Sequence, residues 1–251
     1  MRYITNKKYL LILLLVSALL ITACGSPAET EGSLQEEVDL GEPVASVNGE
    51  FIYETHFQKV VERMIWSYEQ QGMDFSGEEG EELRLQVEES VLEHLIQQAV
   101  LVQEAEALNL TVSDEEVNSE FEGLKSQFDT EEAFQEILDN TKFSEAELKE
   151  TLKTEMTIEA LLESAVDGID VPDEEIEGMY AFYESQSQAQ LEMMEESGEA
   201  ISEEEKAAMA LPPYEEIKED LRLQLLQEKQ QEAMMAYVDD LMASSEIEKL
   251  M

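Results

Sequence analysis

The chain has 251 residues, 43% of them hydrophobic, which allows a sizeable core and excludes disorder throughout. Its 60 acidic and 15 basic residues give a formal net charge of −45 at pH 7. Because phosphate groups and anionic lipid headgroups repel such a chain, this composition excludes nucleic-acid binding.

Two interpretations of the acidity are open. The first is a solvated surface adapted to a salty or alkaline exterior, since charge runs are usually solvated faces. The second is the capture of cationic clients or divalent cations. No aspartate-rich loop has the spacing of an EF-hand, so the sequence predicts no dedicated calcium site.

The N-terminus has the anatomy of a secretory signal. Arg2, Lys7 and Lys8 form a basic segment, and an apolar run follows from Tyr9 to Ile21. That run is shorter than the ~20 residues that a membrane-spanning helix needs. We therefore predict a lipoprotein signal peptide over residues 1–23.

The apolar run ends in Leu20-Ile21-Thr22-Ala23-Cys24, which resembles a bacterial lipobox. The resemblance implies that Cys24 carries a diacylglyceryl thioether and becomes the first residue after cleavage. The alternative is an ordinary signal peptide, or an uncleaved anchor, with an incidental cysteine. Because Cys24 is the only cysteine, no intramolecular disulfide is possible. The polar composition of residues 24–42 predicts a flexible tether.

The clearest strand signal lies at Pro43–Tyr53. The β-prone runs Val44–Val47 and Glu50–Tyr53 flank Asn48-Gly49, a pair that tolerates positive φ and favours a tight hairpin. A short hairpin is marginal alone, so it needs a further partner. The alternating tail Glu246–Leu250 is the predicted partner strand. The alternative for Asn48-Gly49 is a turn that leads into the first helix without a full hairpin.

Helical periodicity dominates the rest of the chain. It predicts helices over about Glu54–Gln71, Glu81–Leu108, Ser113–Gln127, Asp129–Asn140, Ser144–Ala165, Asp173–Ser185 and Tyr214–Ser244. Glu81–Leu108 follows a turn-rich break at Gly72–Gly80 and is apolar nearly all round, so we expect it to be the buried central helix. Ser113 begins a capping box, a typical helix start.

The two C-terminal segments differ in character. Residues 185–213 are polar, acidic and rich in methionine, and they predict a weakly packed connector. The long helix from Tyr214 carries two apolar stripes separated by the wholly polar stretch Gln227–Glu232. This pattern predicts a helix that packs near both of its ends.

Three stretches together resemble one family, the SurA/PrsA-type foldases. Val44–Phe57 matches the family's N-terminal order of strand, Asn-Gly and helix, and Leu92–Phe128 matches its central helical region. Tyr214–Leu241 matches the segment that follows the isomerase domain and folds back onto the N-terminal part. The resemblance implies a helical chaperone domain, built from both ends of the chain, that assists the folding of exported proteins.

Many members of this family insert a parvulin prolyl isomerase domain between the two halves. The insertion point here lies between Tyr183 and Tyr214, where about 30 residues are available against the roughly 90 of a small domain. Parvulin sites also use histidines beside a cysteine or aspartate, whereas His56 and His94 lie in the helical region and Cys24 is the lipid anchor. We therefore predict that the isomerase is absent and that the protein is not an enzyme.

No other chemistry is visible in the sequence. His56 and His94 are not at metal-ligand spacing and are interpreted as helix-surface or boundary residues. Carboxylate pairs occur everywhere among 60 acidic residues, so none of them indicates an acid–base couple. The phosphate-binding, dinucleotide-binding and nucleophile-elbow motifs are missing. We expect no catalytic residue, metal or cofactor.

Methionine is the remaining functional hint, because its flexible thioether suits promiscuous apolar binding surfaces. The candidates for client contact are Met193, Met194, Met209, Met234 and Met235. The alternative is that these methionines fill gaps in a core.

The predicted fold class is mainly α, a multi-helix domain like the SurA N-terminal domain with a small β element from the N-terminal hairpin and a C-terminal strand. The predicted parts are the signal peptide at 1–23, the tether at 24–42, a helical chaperone part at 43–184, an acidic connector in place of an isomerase domain at 185–213, and a returning helix and strand at 214–251.

The predicted function is that of a chaperone-like lipoprotein on the extracytoplasmic face of the cell membrane. A Gram-positive-type surface is favoured, and a periplasm-facing position is the alternative. It would bind unfolded or exported polypeptides in an apolar cleft between the helical part and the long C-terminal helix. The alternative function is a scaffold or accessory lipoprotein of an envelope complex. The sequence does not specify the client or the oligomeric state.

Overall fold

A computed structural model describes residues 40–196, 202 and 211–251 of the chain. The elements are β1 (Pro43–Val47), β2 (Glu50–Tyr53), α1 (Glu54–Gln70), α2 (Gly77–Ala107), α3 (Asp114–Lys125), α4 (Glu131–Thr141), α5 (Glu145–Ala165), α6 (Asp173–Glu196), α7 (Tyr214–Ser244) and β3 (Ile247–Lys249). The predicted class, mainly α with a small β element, is confirmed.

The fold divides into two compact units. The first contains the residues up to Glu163 together with Val238–Met251, and the second contains Ser164–Tyr237. Both ends of the described chain therefore belong to the first unit, and helix α7 begins in the second unit and ends in the first.

The sheet of the first unit joins the two ends of the chain. Its strands are antiparallel in the order β2-β1-β3, and Val47 lies opposite Glu50 on one side and Ile247 on the other. The predicted hairpin and its predicted pairing with the C-terminal tail are thus confirmed. The alternative, a turn without a full hairpin, is wrong.

Asn48 holds the hairpin turn against the C-terminal strand. Its backbone N–H donates to the carbonyl oxygen of Glu246 at 2.8 Å, and the Glu246 N–H donates to Asn48 Oδ1 at 2.8 Å. Gln103 of α2 accepts from Asn48 Nδ2 at 2.8 Å and donates to the carbonyl oxygen of Val47 at 3.1 Å. Asn48 therefore connects the hairpin turn to the residue before β3 and to helix α2.

The turn depends on a left-handed backbone at two consecutive residues. Asn48 has φ 50° and Gly49 has φ 88°, as a type I′ turn requires. A Cβ at Gly49 would have no atom within 4 Å, so alanine there would not clash. Its cost would be the positive φ, which a residue with a Cβ disfavours. We expect Gly49→Ala to lower the free energy of unfolding by about 1–2 kcal/mol in urea denaturation.

Gly123→Ala is the matched control for that substitution. Gly123 lies inside α3, where a Cβ would also meet nothing within 4 Å. Since alanine favours a helix over glycine by about 1 kcal/mol, this variant should be at least as stable as the parent. Equal stability of Gly49→Ala and the parent would contradict the assignment of the turn.

The core of the first unit forms where α1 and α2 pack on the sheet and on the shorter helices. Val61 of α1, Leu95 of α2 and Ala45 of β1 are almost completely buried. Phe121 of α3 meets Phe134 of α4 edge-to-face, with ring centroids 5.7 Å apart. The apolar central helix predicted from the sequence is thus α2, whose residues 87–100 supply buried side chains to this core, whereas residues 81–86 are exposed.

Helix α2 begins at Gly77 and not after Gly80, so the predicted break at Gly72–Gly80 is too long. Glu78 and Glu79 lie in the first turn, where the helix dipole favours acidic side chains. Gly80 lies inside the helix against the backbone of Phe75, where a Cβ would lie 2.1 Å from the Phe75 carbonyl carbon. The glycine therefore serves close packing.

Side-chain caps begin the next three helices, and the capping box predicted at Ser113 is confirmed. Ser113 and Glu116 form a complete capping box on α3, and Thr130 Oγ1 accepts from the Ala133 N–H on α4. Ser144 and Glu147 make the same reciprocal bonds before α5. These caps satisfy backbone donors that have no partner inside a helix.

The second unit has a small core of its own. Val171, Ile176 and Leu221 are buried there, and aromatic and aliphatic residues of α6 and α7 pack around them. Within α7, Ile217 and Leu225 belong to this cluster, whereas Leu241 and Met242 pack on the core of the first unit.

Helix α6 continues to Glu196, past the predicted end near Ser185. The segment from Ser185 to Glu196 has no glycine or proline and consists mostly of good helix formers, so it extends the helix although it buries little surface. The polarity of this segment predicts a connector that buries little surface, but a polar segment can still be helical.

Candidate functional site

Polar contacts hold α6 and α7 together in the second unit. Asp173 accepts from Lys218 at 2.8 Å, and Lys229 lies 2.6 Å from Glu175. The hydrogen bonds from Lys218 and Arg222 keep the pKa of the Asp173 carboxyl below its usual value. These contacts lie at the N-terminal part of α6, which leaves the later turns of the helix more exposed.

Three apolar residues form a narrow line on the exposed side of α6. Phe182 is 59% exposed, Met193 is 69% exposed, and Ala189 is also exposed. At about 100° per residue, positions 182, 189 and 193 lie within roughly 40° of each other around the helix axis. We call Phe182, Ala189 and Met193 the α6 apolar stripe. Exposed apolar patches that are rimmed by polar residues are typical of interaction sites.

The five predicted contact methionines have different positions. Met193 belongs to the stripe and Met235 of α7 is exposed, whereas Met194 and Met234 are half-buried. Met209 and the predicted lipid site Cys24 lie outside the described residues. Of the four described methionines, the structure thus brings Met193 alone into the stripe, and the role of all five as client contacts stays a prediction.

Sequence reasoning missed Phe182. The apolar periodicity of α6 follows Ile176, Met179, Tyr180 and Tyr183, which face the core of the second unit. Phe182 lies outside this periodic pattern, so a helical wheel would have predicted that its side chain is exposed. An aromatic residue outside the core face was the available signal.

Most basic side chains in residues 40–196 and 211–251 already have carboxylate partners. The ion pairs join Lys59 and Arg63 to Glu147, Lys125 to Glu131, Lys142 to Glu62, Lys153 to Asp114, Lys218 and Arg222 to Asp173, Lys229 to Glu175 and Lys249 to Glu93. The large excess of acidic residues is therefore left facing solvent with few neighbouring cations.

Arg63 makes buried contacts in the first unit that link α1 to the turn before α5. We call Arg63, Lys142, Phe143 and Glu147 the Arg63 cluster. Arg63 is only 4% exposed, donates to the carbonyl oxygen of Lys142 at 2.8 Å, and lies 3.6 Å from the centre of the Phe143 ring. Its guanidinium is 3.4 Å from the carboxylate of Glu147. Burial lowers the pKa of Arg63 from its usual value, and the charge of Glu147 opposes that change.

The Glu147 carboxyl in the Arg63 cluster has a low pKa and is ionised at neutral pH. Burial alone would raise the pKa of this carboxyl, but hydrogen bonds from Ser144 and Lys59 and the charge of Arg63 outweigh burial and bring it to about 2. A carboxylate held in this way stabilises the folded state at neutral pH, and that contribution is lost as the pH falls from 4.5 through 2.

Glu155 of α5 is the opposite case. Burial, with a smaller contribution from the charge of Glu159, raises the pKa of its carboxyl to about 8. Its Oε1 atom is buried and has no hydrogen-bond partner. The carboxyl is therefore protonated at neutral pH.

The two histidines are half-buried on α1 and α2, in agreement with their interpretation as boundary residues. Among the described residues, no group of three His, Cys, Asp or Glu side chains could hold a metal ion. Nor does any helix in the described part of the chain have the length and apolarity of a membrane span.

Comparison with known proteins agrees with this architecture. The family model of the SurA-like N-terminal domain matches residues 1–162. The foldase protein PrsA of Clostridium botulinum (strain Loch Maree / Type A3) is 32% identical over 187 residues, which are 69% of this chain and 53% of that protein. The foldase protein PrsA of Caldanaerobacter subterraneus subsp. tengcongensis is 29% identical over 161 residues, 59% of this chain and 45% of that protein.

The helical fold with its small closing sheet and these matches define the class of protein. The chain belongs to the SurA/PrsA-type foldase family, as its sequence motifs predicted. It spans about half the length of the curated relatives that it matches.

Proposed function

We propose that the protein is a membrane-anchored extracytoplasmic chaperone that binds unfolded or exported polypeptides and has no prolyl isomerase activity. The observation that carries the proposal is the similarity to foldase proteins over 69% of the chain. The α6 apolar stripe supports it, because an aligned exposed phenylalanine and methionine offer contacts to apolar side chains of many sequences.

The proposed lack of isomerase activity is supported by the length of the insertion point. About 30 residues separate Tyr183 from Tyr214, too few for a domain of roughly 90 residues, and α6 takes up those before residue 197. The protein should not accelerate proline isomerisation in a model peptide over buffer. Acceleration that is proportional to protein concentration would refute this part of the proposal.

Attachment to the membrane is proposed to depend on Cys24. A lipid on Cys24, at the end of the lipobox-like Leu20–Cys24, would supply the anchor, with more than one acyl chain for stable attachment. We expect Cys24→Ser to move most of the protein from the membrane fraction into the medium or periplasm, as followed by immunoblotting. Ser17→Ala, within the apolar run, is the control and should leave attachment unchanged. Continued attachment of Cys24→Ser would contradict lipidation.

Suppression of aggregation tests the chaperone function. The full chain should reduce light scattering from several unrelated unfolded proteins at near-stoichiometric ratios. If it protects none of them but recovers one stoichiometric partner in a pull-down, the protein is instead a scaffold or accessory subunit of an envelope complex.

A further inference from the structure

The α6 apolar stripe lies on a helix without any positive charge. Between Asp173 and Glu196 the sequence contains no lysine, arginine or histidine. We propose that this stripe docks cationic segments of unfolded polypeptides, an inference that rests on the proposed chaperone function and names its preferred class of client.

The dimensions of the stripe suit a short extended segment. Phe182 and Met193 are three helical turns apart, a rise of roughly 16 Å along the axis. An extended chain covers this distance in about five residues. The stripe therefore offers two apolar anchors to one short segment, with the small side chain of Ala189 between them.

Carboxylates border the C-terminal end of the stripe. Glu192 and Glu196 are exposed, and neither pairs with a cation among residues 40–196 and 211–251. Glu175, near the other end, is already paired with Lys229. A lysine or arginine of a bound segment would thus meet the carboxylates of Glu192 and Glu196 beside Met193, while its apolar neighbour contacts the stripe.

The same charges disfavour the other possible occupants. A second copy of the chain would bring another formal charge of −45 to the contact, and anionic lipid would also be repelled. A segment that carries glutamate or aspartate meets the same repulsion. Charge complementarity therefore selects a cationic polypeptide.

Three labelled peptides that share their length and apolar residues test this inference. Their polar positions are lysine, glutamate, or serine and glutamine, and fluorescence anisotropy measures their binding to the full chain. At low salt we expect the lysine peptide to bind about tenfold more tightly than the glutamate peptide, with the neutral peptide between them. The difference should shrink in about 1 M salt, where charges are screened within ~3 Å.

Variants locate the contact on α6. Phe182→Ala should weaken binding of the lysine peptide about tenfold, because it removes a large apolar anchor. Leu85→Ala, which truncates a 65% exposed leucine of α2, should leave binding unchanged. The double variant Glu192→Gln and Glu196→Gln should weaken binding of the lysine peptide and should not weaken binding of the other two peptides. Glu132→Gln with Glu136→Gln, at the same spacing on α4, is its control and should have no effect.

Each other outcome overturns the inference. Equal affinity for all three peptides would leave the chaperone proposal intact and remove the charge preference. Binding that Phe182→Ala does not change would place the contact elsewhere. A concentration-dependent dimer that Phe182→Ala abolishes would assign the stripe to self-association. Binding of none of the peptides would count against the proposed function itself.

Discussion

Replacement of Arg63 by alanine is expected to lower the free energy of unfolding by about 2–4 kcal/mol. The substitution removes the buried guanidinium that bonds the Lys142 carbonyl and stacks on Phe143, and it leaves that carbonyl without its donor. Loss of one partner from a buried pair typically costs about 3–5 kcal/mol, and the 32% exposure of the Glu147 side chain reduces this value. Urea denaturation followed by circular dichroism measures the change.

Lys59→Ala is the control for Arg63→Ala. Lys59 pairs with the same carboxylate at 3.1 Å, but its side chain is 57% exposed. Exposed pairs contribute at most about 1 kcal/mol, so this variant should differ little from the parent. If both variants lowered the free energy of unfolding equally little, the Arg63 cluster would not contribute to stability in the way that its burial predicts.

Glu155→Gln is expected to stabilise the protein at alkaline pH. The pKa of the carboxyl is about 8 in the folded chain against a usual value of 4.5, so the folded state keeps a proton that the unfolded state releases. Stability therefore falls as the pH rises from 4.5 to about 8 and is lowest above that range. Since glutamine does not ionise, the variant should gain on the order of 3 kcal/mol at pH 9 and little at pH 4.

Glu159→Gln tests the cause of the Glu155 shift. Burial is the main cause and the charge of Glu159 is the smaller one, so removal of that charge should leave most of the pH dependence in place. Urea midpoints measured from pH 4 to pH 9 compare the two variants with the parent. An unchanged slope in Glu155→Gln would show that another group is responsible.

Local patterns in the sequence predicted the closure of the sheet. Asn48-Gly49 required positive φ, and the alternation of the tail fitted a strand, so pairing of the two chain ends followed from two short motifs. The capping box at Ser113 likewise determined a helix start from four residues. In each case the residues that carry the signal are also the residues that make the contact.

The Arg63 cluster and the α6 apolar stripe were not predicted, for two different reasons. Arg63 bonds a carbonyl oxygen 79 residues away, and in the sequence it resembles any polar position of an amphipathic helix. The helical wheel places Phe182 outside the core face of α6, but Ala189 and Met193 lie beyond the predicted end of that helix near Ser185. Local patterns contain neither the long-range contact nor the end of a helix that buries little surface, so the sequence predicted the elements better than the site.

Binding of one polypeptide in its folded and its unfolded form tests the chaperone function most directly. The full chain, immobilised at a single surface density, should bind the reduced and alkylated form of a disulfide-containing protein and not the native form of that protein. Equal binding of both forms, or binding of the native form alone, would contradict a chaperone and would indicate a scaffold that recognises a folded partner.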